Sequence, residues 1–246
     1  MWAVPRKGLT QVTTDEQFTW LPDGGLVAVG QVTRERPQDW LAWHFTHVAN
    51  LESIVRTGAL LSAASAPTRM NVGQISIKRA RTAEEIRLPA SQYPPSYVSD
   101  HVPLYFAGKS PMLFKVCRGH DDYRGGPAPL VFLGFRVGDI ADSGCVWCAT
   151  NANAATSWAD YTTDLAGLGE FVDFDVLTTR IWKRTPDAPD RPSRRADELL
   201  VHRRLPLNLL KLVVTQNVAI AQEVSERLAS VGLNRAIRAR PDMYYY

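Results

Sequence analysis

The sequence predicts an α+β protein whose sheets are mainly antiparallel. Short apolar runs of strand length dominate the 246 residues, and helical patterns lie between them at irregular intervals. The regular strand–helix–strand alternation of a parallel sheet is missing, which is the main argument for an antiparallel arrangement. An apolar fraction of 45% and a charged fraction of 22% are ordinary for one large globular domain or two small ones.

Within the first half of the chain the patterns predict a hairpin, a strand and a helix in that order. The hairpin spans residues 18–32 around the turn Asp23-Gly24-Gly25, and the aromatic segment 43–47 is the strand. The helix covers residues 48–57 and ends at Gly58. Further along we expect an extended piece at 60–61, a helix near 75–85, and strands at 102–106 and 112–117.

The second half is expected to hold the buried centre of the sheet. Residues 130–137 are apolar at almost every position, which predicts a strand that is buried on both faces. Three prolines interrupt residues 185–193, so regular structure is not expected there. The remaining elements are helices at 151–161 and 219–231, the latter stopped by Gly232, and strands at 198–201 and 210–216.

Hydropathy indicates where the protein is located, and the distribution of charge indicates its binding partners. No stretch of about 18 apolar residues occurs, and the first 17 residues lack the apolar core of a secretory signal. We therefore predict a cytoplasmic protein that does not cross a membrane. The net charge is only +3, but Lys and Arg cluster near residues 78–87 and 183–204. Such clusters are either solvated faces or contacts to a phosphate-bearing substrate.

The three cysteines do not predict a metal site. Cys145 and Cys148 have the spacing of half a zinc site, but Cys117 stands alone and no second pair follows. Packed or half-exposed thiols are the simpler interpretation. The chain also lacks the P-loop, GxGxxG, HExxH and GxSxG patterns, so kinase, dehydrogenase and hydrolase readings have no support.

Glu198 is the first candidate for chemistry because it opens an apolar strand. Asp197 and Glu198 point to opposite sides of that strand, so only one of them can face a cleft. A carboxylate there can stabilise a developing cation or accept a proton. The alternative is a strand-edge carboxylate that pairs with Arg194 or Arg195.

Two further groups have the chemistry of a ligand site. His44 and Thr46 share one face of their strand and together offer an imidazole and a hydroxyl, which suit ribose hydroxyls and a carboxamide. Lys78 and Arg81 share a helix face, and a guanidinium there suits a pyrophosphate or a base. A core histidine and a solvated helix face are the respective alternatives.

Six segments of the chain together resemble the DarT family of DNA ADP-ribosyltransferase toxins. They occur in the family's order, cover about residues 38–246, and leave residues 1–37 as an N-terminal extension. The chain departs from the family pattern at residues 107–113, AGKSPML. Where this chain has Lys109 before Ser110 and Pro111, members of the family more often have Asn or Arg, followed by Ser or Asn and then Pro. The segments are WHFTH at 43–47, NLESIVRTGALL at 50–61, IKRAR at 77–81, SDHVPLYFAGKSPMLFKVCRGH at 99–120, NANAA at 151–155 and SRRADELLV at 193–201.

The resemblance implies an ADP-ribosyltransferase fold in which two twisted sheets form an NAD cleft. It implies a toxin that transfers ADP-ribose from NAD to the ring N3 of thymidine in single-stranded DNA and releases nicotinamide. The family glutamate falls on Glu198 and the catalytic arginine on Arg81, with Arg79 as the second choice in a region of loose spacing. The residues that contact NAD fall on His44 and Thr46, with Arg79 as a further candidate, and no metal is implied.

The target strand is expected along the loop before Glu198. Trp182, Lys183, Arg184 and Arg191 combine stacking with phosphate contact, as single-strand binders require, and Arg195 extends the same basic stretch. The resemblance also implies reversal of the mark by a DarG-like macrodomain antitoxin. We expect the toxin to be a monomer.

Two alternatives to the DNA-modifying toxin remain at the level of sequence. One is a transferase that acts on RNA or protein, and the other is a catalytically silent nucleic-acid-binding module of the same fold. Ala196 lies two positions before Glu198, where arginine-directed protein modifiers often have an acidic residue, which disfavours that activity. The intact Glu198 argues against the silent module.

Overall fold

The centre of the molecule is one eight-stranded sheet. A computed structural model describes residues 17–66 and 70–246 of the chain. In spatial order the strands are β12, β11, β6, β3, β5, β9, β7 and β8, and only the β11–β12 pair is parallel. Their bounds are β3 Leu41–His47, β5 His101–Tyr105, β6 Leu130–Arg136, β7 Trp147–Thr150, β8 Tyr161–Thr162, β9 Glu198–His202, β11 Leu210–Thr215 and β12 Ala236–Ala239.

The sheet consists of two four-stranded halves that meet at a seam. Between β3 and β5 the register holds a single residue pair, Trp43 opposite Tyr105, whereas β3 and β6 pair along seven residues. The α+β class and the mainly antiparallel pairing are confirmed. The two sheets expected from the sequence are present as these two halves of one continuous sheet.

Two smaller pairs of strands lie outside the large sheet. The strands β1 (Phe18–Trp20) and β2 (Val27–Val29) form the expected hairpin, and Ala28 bridges to Trp40 beside the large sheet. The hairpin buries Leu26 and Val27, so part of the expected extension packs into the core. The other pair joins β4 (Ala59–Leu61) to β10 (Arg204–Pro206). Residues 1–16 of the extension lie outside the described residues.

The helices are short and lie around the sheet. Within the described residues none is long and apolar enough to span a membrane. Their bounds are α1 Leu51–Thr57, α2 Ile75–Ala83, α3 Pro111–Arg118, α4 Val137–Asp142, α5 Leu168–Phe171, α6 Phe174–Thr178, α7 Arg191–Arg194 and α8 Val218–Ala229, with 3-10 turns at Pro22–Gly24, Pro37–Asp39, Val48–Asn50, Val98–Asp100, Leu207–Leu209 and Pro241–Met243.

Close packing at the centre depends on one glycine. Trp43 is fully buried and lies directly opposite Gly134 in the register of β3 and β6. A Cβ at Gly134 would come within 2.6 Å of the Trp43 ring, so only glycine leaves room for the indole. The strand β6 is buried along almost its whole length, which confirms the prediction that both of its faces are covered.

The segment expected as a strand at residues 112–117 is the helix α3. Ser110 caps this helix by accepting a hydrogen bond from the Leu113 amide, and Pro111 occupies the first turn. Leu113 and Val116, three residues apart, are the buried positions. The start signals Ser and Pro therefore outweigh the apolar run, which by itself fits either a strand or a buried helix.

Two other local predictions were wrong. Residues 151–161, expected as a helix, form turns before β8 because side chains compete with the helical backbone bonds. Asn151 accepts from the Asp160 amide, and Asn153 accepts from the Ala155 amide. Within residues 185–193, expected to be irregular, the short helix α7 begins at Arg191 because Pro192 fits a first turn.

Candidate active site

A cavity of about 210 Å³ opens beside the seam of the sheet. Its walls come from β3, α1, β4, the loop after β4, α2 and β5. The polar side chains that line it are the candidates for ligand contact: His44, Thr46, Asn50, Ser53, Thr57, Asn71, Gln74, Lys78, Arg81, His101 and Tyr105.

On the β3 side of the cavity, His44 is a neutral imidazole of fixed tautomer. Its Nδ1 lies 3.0 Å from the carbonyl oxygen of Pro103, and because a carbonyl can only accept, Nδ1 carries the proton. Burial lowers the pKa of His44 although the Pro103 contact opposes the change. The Nε2 atom is consequently an acceptor on the second edge of a ring that lines the cavity.

Thr46 and Asn50 connect β3 to the loop that closes the cavity. The Asn50 amide nitrogen donates to the Thr46 hydroxyl at 3.0 Å and to the Met70 carbonyl at 2.8 Å, and its oxygen accepts from the Met70 amide at 2.9 Å. Asn50 thus holds residue 70 over the cavity. His47, on the other face of β3, caps the following turn by accepting a hydrogen bond from the Ala49 amide.

On the opposite side, Arg81 and Glu198 form a buried ion pair. One guanidinium nitrogen, Nη1, donates to both carboxylate oxygens at 3.0 and 2.9 Å, and the side chains are 11% and 0% exposed. Arg81 lines the cavity, so Glu198 lies behind it. The second nitrogen, Nη2, is buried and has no hydrogen-bond partner among the described residues. This donor is available to an acceptor on a ligand.

Burial and charge act in opposite directions on the Glu198 carboxyl. Burial raises its pKa, while the Arg81 guanidinium and a hydrogen bond from the backbone of Ala154 offset part of the rise. Ala154 belongs to the NANAA turn, and the Glu198 amide is fixed by donating to the Thr150 hydroxyl at 3.1 Å. The carboxylate is therefore held in place from both neighbouring segments and is a stronger base than an exposed glutamate.

Tyr105 and His101 are site residues that the sequence patterns do not single out. Tyr105 lies opposite Glu198 in the register of β5 and β9 and lines the cavity. Burial and, to a smaller extent, the Glu198 charge raise the pKa of the Tyr105 phenol. The alternation of β5 is the signal that could have found both, because Tyr105, Pro103 and His101 share one face.

Two of the predicted ligand residues do not line the cavity. Arg195, expected to contact DNA, is fully buried, and its Nη1 donates to the carbonyl groups of Val176, Leu177 and Thr179 at 2.7 to 3.0 Å. It satisfies the end of α6 and cannot reach a strand. Arg79, the alternative to Arg81, is exposed on the side of α2 that faces away from the cavity.

The other predicted DNA contacts lie on the surface. Lys183 and Arg184 are exposed, and Trp182 is half-buried against Phe114 and Tyr245. Arg191 begins α7 and is half-buried. The alternative pairing of Glu198 with Arg194 is wrong, because Arg194 binds Asp173 and Asp190 instead.

The free thiols have different surroundings. Cys148 is buried on β7, and burial raises its pKa to about 12 although a hydrogen bond with Tyr93 opposes the rise. Cys145 is half-buried. Within the described part of the chain, His, Cys, Asp and Glu nowhere gather in a group of three that could hold a metal ion.

A split antiparallel sheet, with a histidine-bearing strand on one half and a buried glutamate on the other, is the arrangement that the resemblance to ADP-ribosyltransferases predicts. The sequence model described as "ssDNA thymidine ADP-ribosyltransferase, DarT" matches residues 43–245. The chain belongs to the DarT family.

Relatives and solved structures agree with this assignment. Proteins named DNA ADP-ribosyl transferase from Mycobacterium tuberculosis and Mycobacterium bovis are each 43% identical over 225 residues, which cover 91% of this chain and 97% of theirs. The structure of Thermus sp. 2.9 DarT in complex with ADP-ribosylated ssDNA has a TM-score of 0.77 and 24% identity, and the match covers 83% of this chain and 96% of that one. The complex of the same enzyme with NAD⁺ has a TM-score of 0.72.

Proposed function

We propose that this chain transfers ADP-ribose from NAD to N3 of thymidine in single-stranded DNA, with Glu198 and Arg81 as the catalytic residues. The observation that carries the proposal is the buried Arg81–Glu198 pair beside a cavity whose other wall presents His44 and Thr46. Family membership and the Thermus complexes with NAD⁺ and ADP-ribosylated ssDNA support the substrates.

The β3 wall suits the NAD molecule. His44 offers an acceptor at Nε2 and Thr46 a hydroxyl, which can pair with the donors and acceptors of a ribose or a carboxamide. The unpartnered Nη2 of Arg81 adds a donor inside the same cavity. We propose that His44 and Thr46 bind NAD, which serves as the co-substrate and requires no metal.

The transfer breaks one bond and makes another. The electron pair of the nicotinamide–ribose bond leaves with nicotinamide, and the ribose carbon acquires cationic character, which the Glu198 carboxylate stabilises. Thymine N3 then forms the new bond to that carbon, and its proton passes to Glu198. Because burial raises the pKa of Glu198, the carboxylate accepts this proton more readily than an exposed glutamate would. Arg81 stabilises the negative charge that develops on the thymine.

The target strand is proposed to follow the loop before β9. Trp182 supplies a ring on which a base can stack, while Lys183, Arg184 and Arg191 supply positive charge for phosphates. A single strand suits this site because its bases can be turned outward at low cost.

The biological setting is also part of the proposal. We propose a monomeric cytoplasmic toxin that blocks replication and is reversed by a DarG-like macrodomain antitoxin. The structure of Thermosipho africanus DarTG in complex with ADP-ribose, which has a TM-score of 0.64, matches 83% of this chain over 50% of its own length. The remainder of that protein leaves room for a second domain.

The test is a transfer assay read by mass spectrometry. Purified protein is incubated with NAD and either a thymidine-containing single strand or an RNA strand of equivalent sequence. We expect one ADP-ribose on the DNA only, and a fall of about 10³-fold or more in Glu198→Gln and Glu198→Ala. The exposed Glu226→Gln, on α8, is the matched control and should retain the wild-type rate.

Two outcomes would contradict the proposal. Substantial transfer by Glu198→Ala would remove Glu198 from the reaction. Modification of the RNA in preference to the DNA would change the substrate class. Thermal unfolding of each variant shows whether a loss of activity is a loss of fold.

A further inference from the structure

Three aromatic side chains, one exposed and two half-buried, form a cluster at the end of the loop proposed to hold the DNA. Phe114 lies 6.3 Å from Trp182 and 5.2 Å from Tyr245 between ring centroids, and Trp182 lies 6.2 Å from Tyr245. The rings meet edge to face at 74° to 90°. We call Phe114, Trp182 and Tyr245 the aromatic platform.

The platform is not explained by the core of the protein. Of the described residues that form the hydrophobic core, Tyr245 packs at the margin of one cluster, and neither Phe114 nor Trp182 is a member. Phe114 is 38% exposed, and the neighbouring Ile181 is still more exposed. An exposed group of large apolar side chains of this kind marks a binding surface more often than a solvated face.

Positive charge surrounds the rings. The Arg118 guanidinium lies over the Phe114 ring at 5.5 Å, and the Lys109 ammonium lies over the Tyr245 ring at 5.2 Å. Lys183 and Arg184 follow Trp182 directly and are exposed. Aromatic rings with cations close to them suit the bases and phosphates of a single strand.

Tyr245 is the ring of the platform that hydrogen bonds hold in place. The Tyr245 hydroxyl donates to the Lys109 carbonyl at 3.1 Å, and the buried Arg195 donates to the same carbonyl at 3.3 Å. Next to it, the buried Tyr244 donates to the carbonyl groups of Leu130 and Val214. Rings that are fixed before binding lose little conformational freedom when a base stacks on them.

Helix α3 connects the platform to the active-site cavity. Met112 lines the cavity, and Lys115, three residues on, donates to Gln74 in the cavity wall at 3.2 Å. Phe114 is two residues from Met112, so it lies on nearly the opposite side of the helix, with Arg118 four residues further on beside it. Because a helix is about 10–12 Å across with its side chains, a strand leaving the cavity reaches the platform within a few nucleotides.

We infer that the aromatic platform binds a base that flanks the target thymidine in the single-stranded DNA. The inference rests on the proposed function and adds Phe114, Tyr245 and Arg118 to the recognition of its substrate. Stacking on the platform is tolerant of base identity, so it holds the strand in place and contributes length dependence to binding.

The test measures binding and transfer on one set of oligonucleotides. Each carries a single thymidine, and an abasic site replaces the flanking base at one position at a time. We expect Phe114→Ala and Trp182→Ala each to raise the KM for the intact oligonucleotide about tenfold, and Phe114→Tyr to restore it. The exposed Val218→Ala, on α8, is the control for loss of apolar surface and should match the wild type.

The contact is identified by combining a substitution in the protein with an abasic site in the DNA. At one flanking position, the abasic site should weaken wild-type binding about tenfold and have no further effect in Phe114→Ala. If the two losses multiply at every position, or if the variants bind as the wild type does, the platform does not hold a base. Tighter platform-dependent binding of RNA of the same sequence would overturn the assignment to DNA.

The failure of the proposed function gives a different result. Binding is measured by fluorescence anisotropy with Glu198→Gln as the background, so it does not depend on transfer. Absence of transfer by the wild-type protein, with binding that still depends on Phe114, contradicts the proposed reaction and supports the platform. Transfer that is unchanged in Phe114→Ala and Trp182→Ala supports the proposed reaction and contradicts the platform. Thermal unfolding confirms that each variant is folded.

Discussion

At the scale of single residues, the buried Arg81–Glu198 pair is costly for the fold. Each charge is tolerated because the other is present, and removal of one partner leaves the second charge buried and unpaired, at a cost of about 3–5 kcal/mol. Well-packed apolar side chains at these two positions would give the fold equal or greater stability. The pair is therefore better explained by chemistry than by stability.

The neutral state of His101 predicts a loss of stability in mild acid. Its Nδ1 donates to the Tyr97 carbonyl and its Nε2 accepts from the Tyr93 hydroxyl, while burial lowers its pKa to about 4. The unfolded chain binds this proton near pH 6.5 and the folded chain does not, so stability falls as the pH falls from 6.5 toward 4. The full effect is about 3 kcal/mol at 1.4 kcal/mol per pKa unit.

Thermal unfolding between pH 7 and pH 5 measures this effect. Most carboxylates titrate below pH 5, and comparison with His101→Gln separates His101 from the other buried groups whose pKa is shifted, such as Glu198 and His44. We expect the wild-type melting temperature to fall across that window and that of His101→Gln to fall less. An equal slope in both proteins would show that another group is responsible.

The sequence predicts the identity of the chemical groups better than their surroundings. Glu198, Arg81, His44 and Thr46 were all singled out, and the structure places them around one cavity or directly behind its wall. Arg195 was misassigned because an arginine that caps a helix and one that binds phosphate look the same in a sequence. Only the fold shows that carbonyl groups of α6 surround it.

At the scale of elements, the loop after β4 owes its position to Asn50. This side chain makes two hydrogen bonds to residue 70 and a third to Thr46, and residue 70 lines the cavity proposed to bind NAD. We expect Asn50→Ala to raise the KM for NAD about tenfold and to change kcat little, because the bonds order the loop and do not take part in bond breaking.

Steady-state kinetics with varied NAD measures the two constants separately. Asn234→Ala removes an exposed amide in the segment between α8 and β12 and should leave both constants unchanged. A fall in kcat at an unchanged KM for NAD would mean that Asn50 acts on the reaction itself.

Elements with a strong period or a clear stop signal were predicted well. The hairpin, β3, α1 with its stop at Gly58, β6, β9 and α8 lie where the patterns put them, and Gly58 has the left-handed conformation (φ 63°) that ends a helix. The wrong predictions lie where local hydrogen bonds determine which structure is adopted. Residues 112–117 and 151–161 each have a pattern that fits more than one structure, and Ser110 or Asn153 selects the one adopted.

At the scale of the whole molecule, the C-terminal residues are part of the core. Tyr244 is 1% exposed and donates to carbonyl groups of two neighbouring strands, β6 and β11, whereas Tyr246 is 73% exposed. We expect Tyr244→Ala to lower the free energy of unfolding by about 3–5 kcal/mol, as for other buried aromatic side chains. Tyr246→Ala should change it by less than about 0.5 kcal/mol.

Chemical denaturation measures the free energy of unfolding of both variants, and the two values are compared at the same slope of free energy against denaturant concentration. A loss in Tyr244→Ala no larger than in Tyr246→Ala would show that the end of the chain contributes little to the core. The global arrangement itself was predicted only in outline. The sequence gives no sign that one pair, Trp43 and Tyr105, joins the two halves of the sheet, because pairing of strands 62 residues apart depends on the fold as a whole.

The order of strands in the sheet also determines when the active site can form during synthesis. A ribosome delivers the chain from its N-terminus, so β3 and α2 exist long before β9, which must insert between β5 and β7. Arg81 is synthesised 117 residues before Glu198, and Tyr244 follows later still. A nascent chain cannot form the ion pair until β9 has been made, so the active site is assembled only after the segment between these two residues is available.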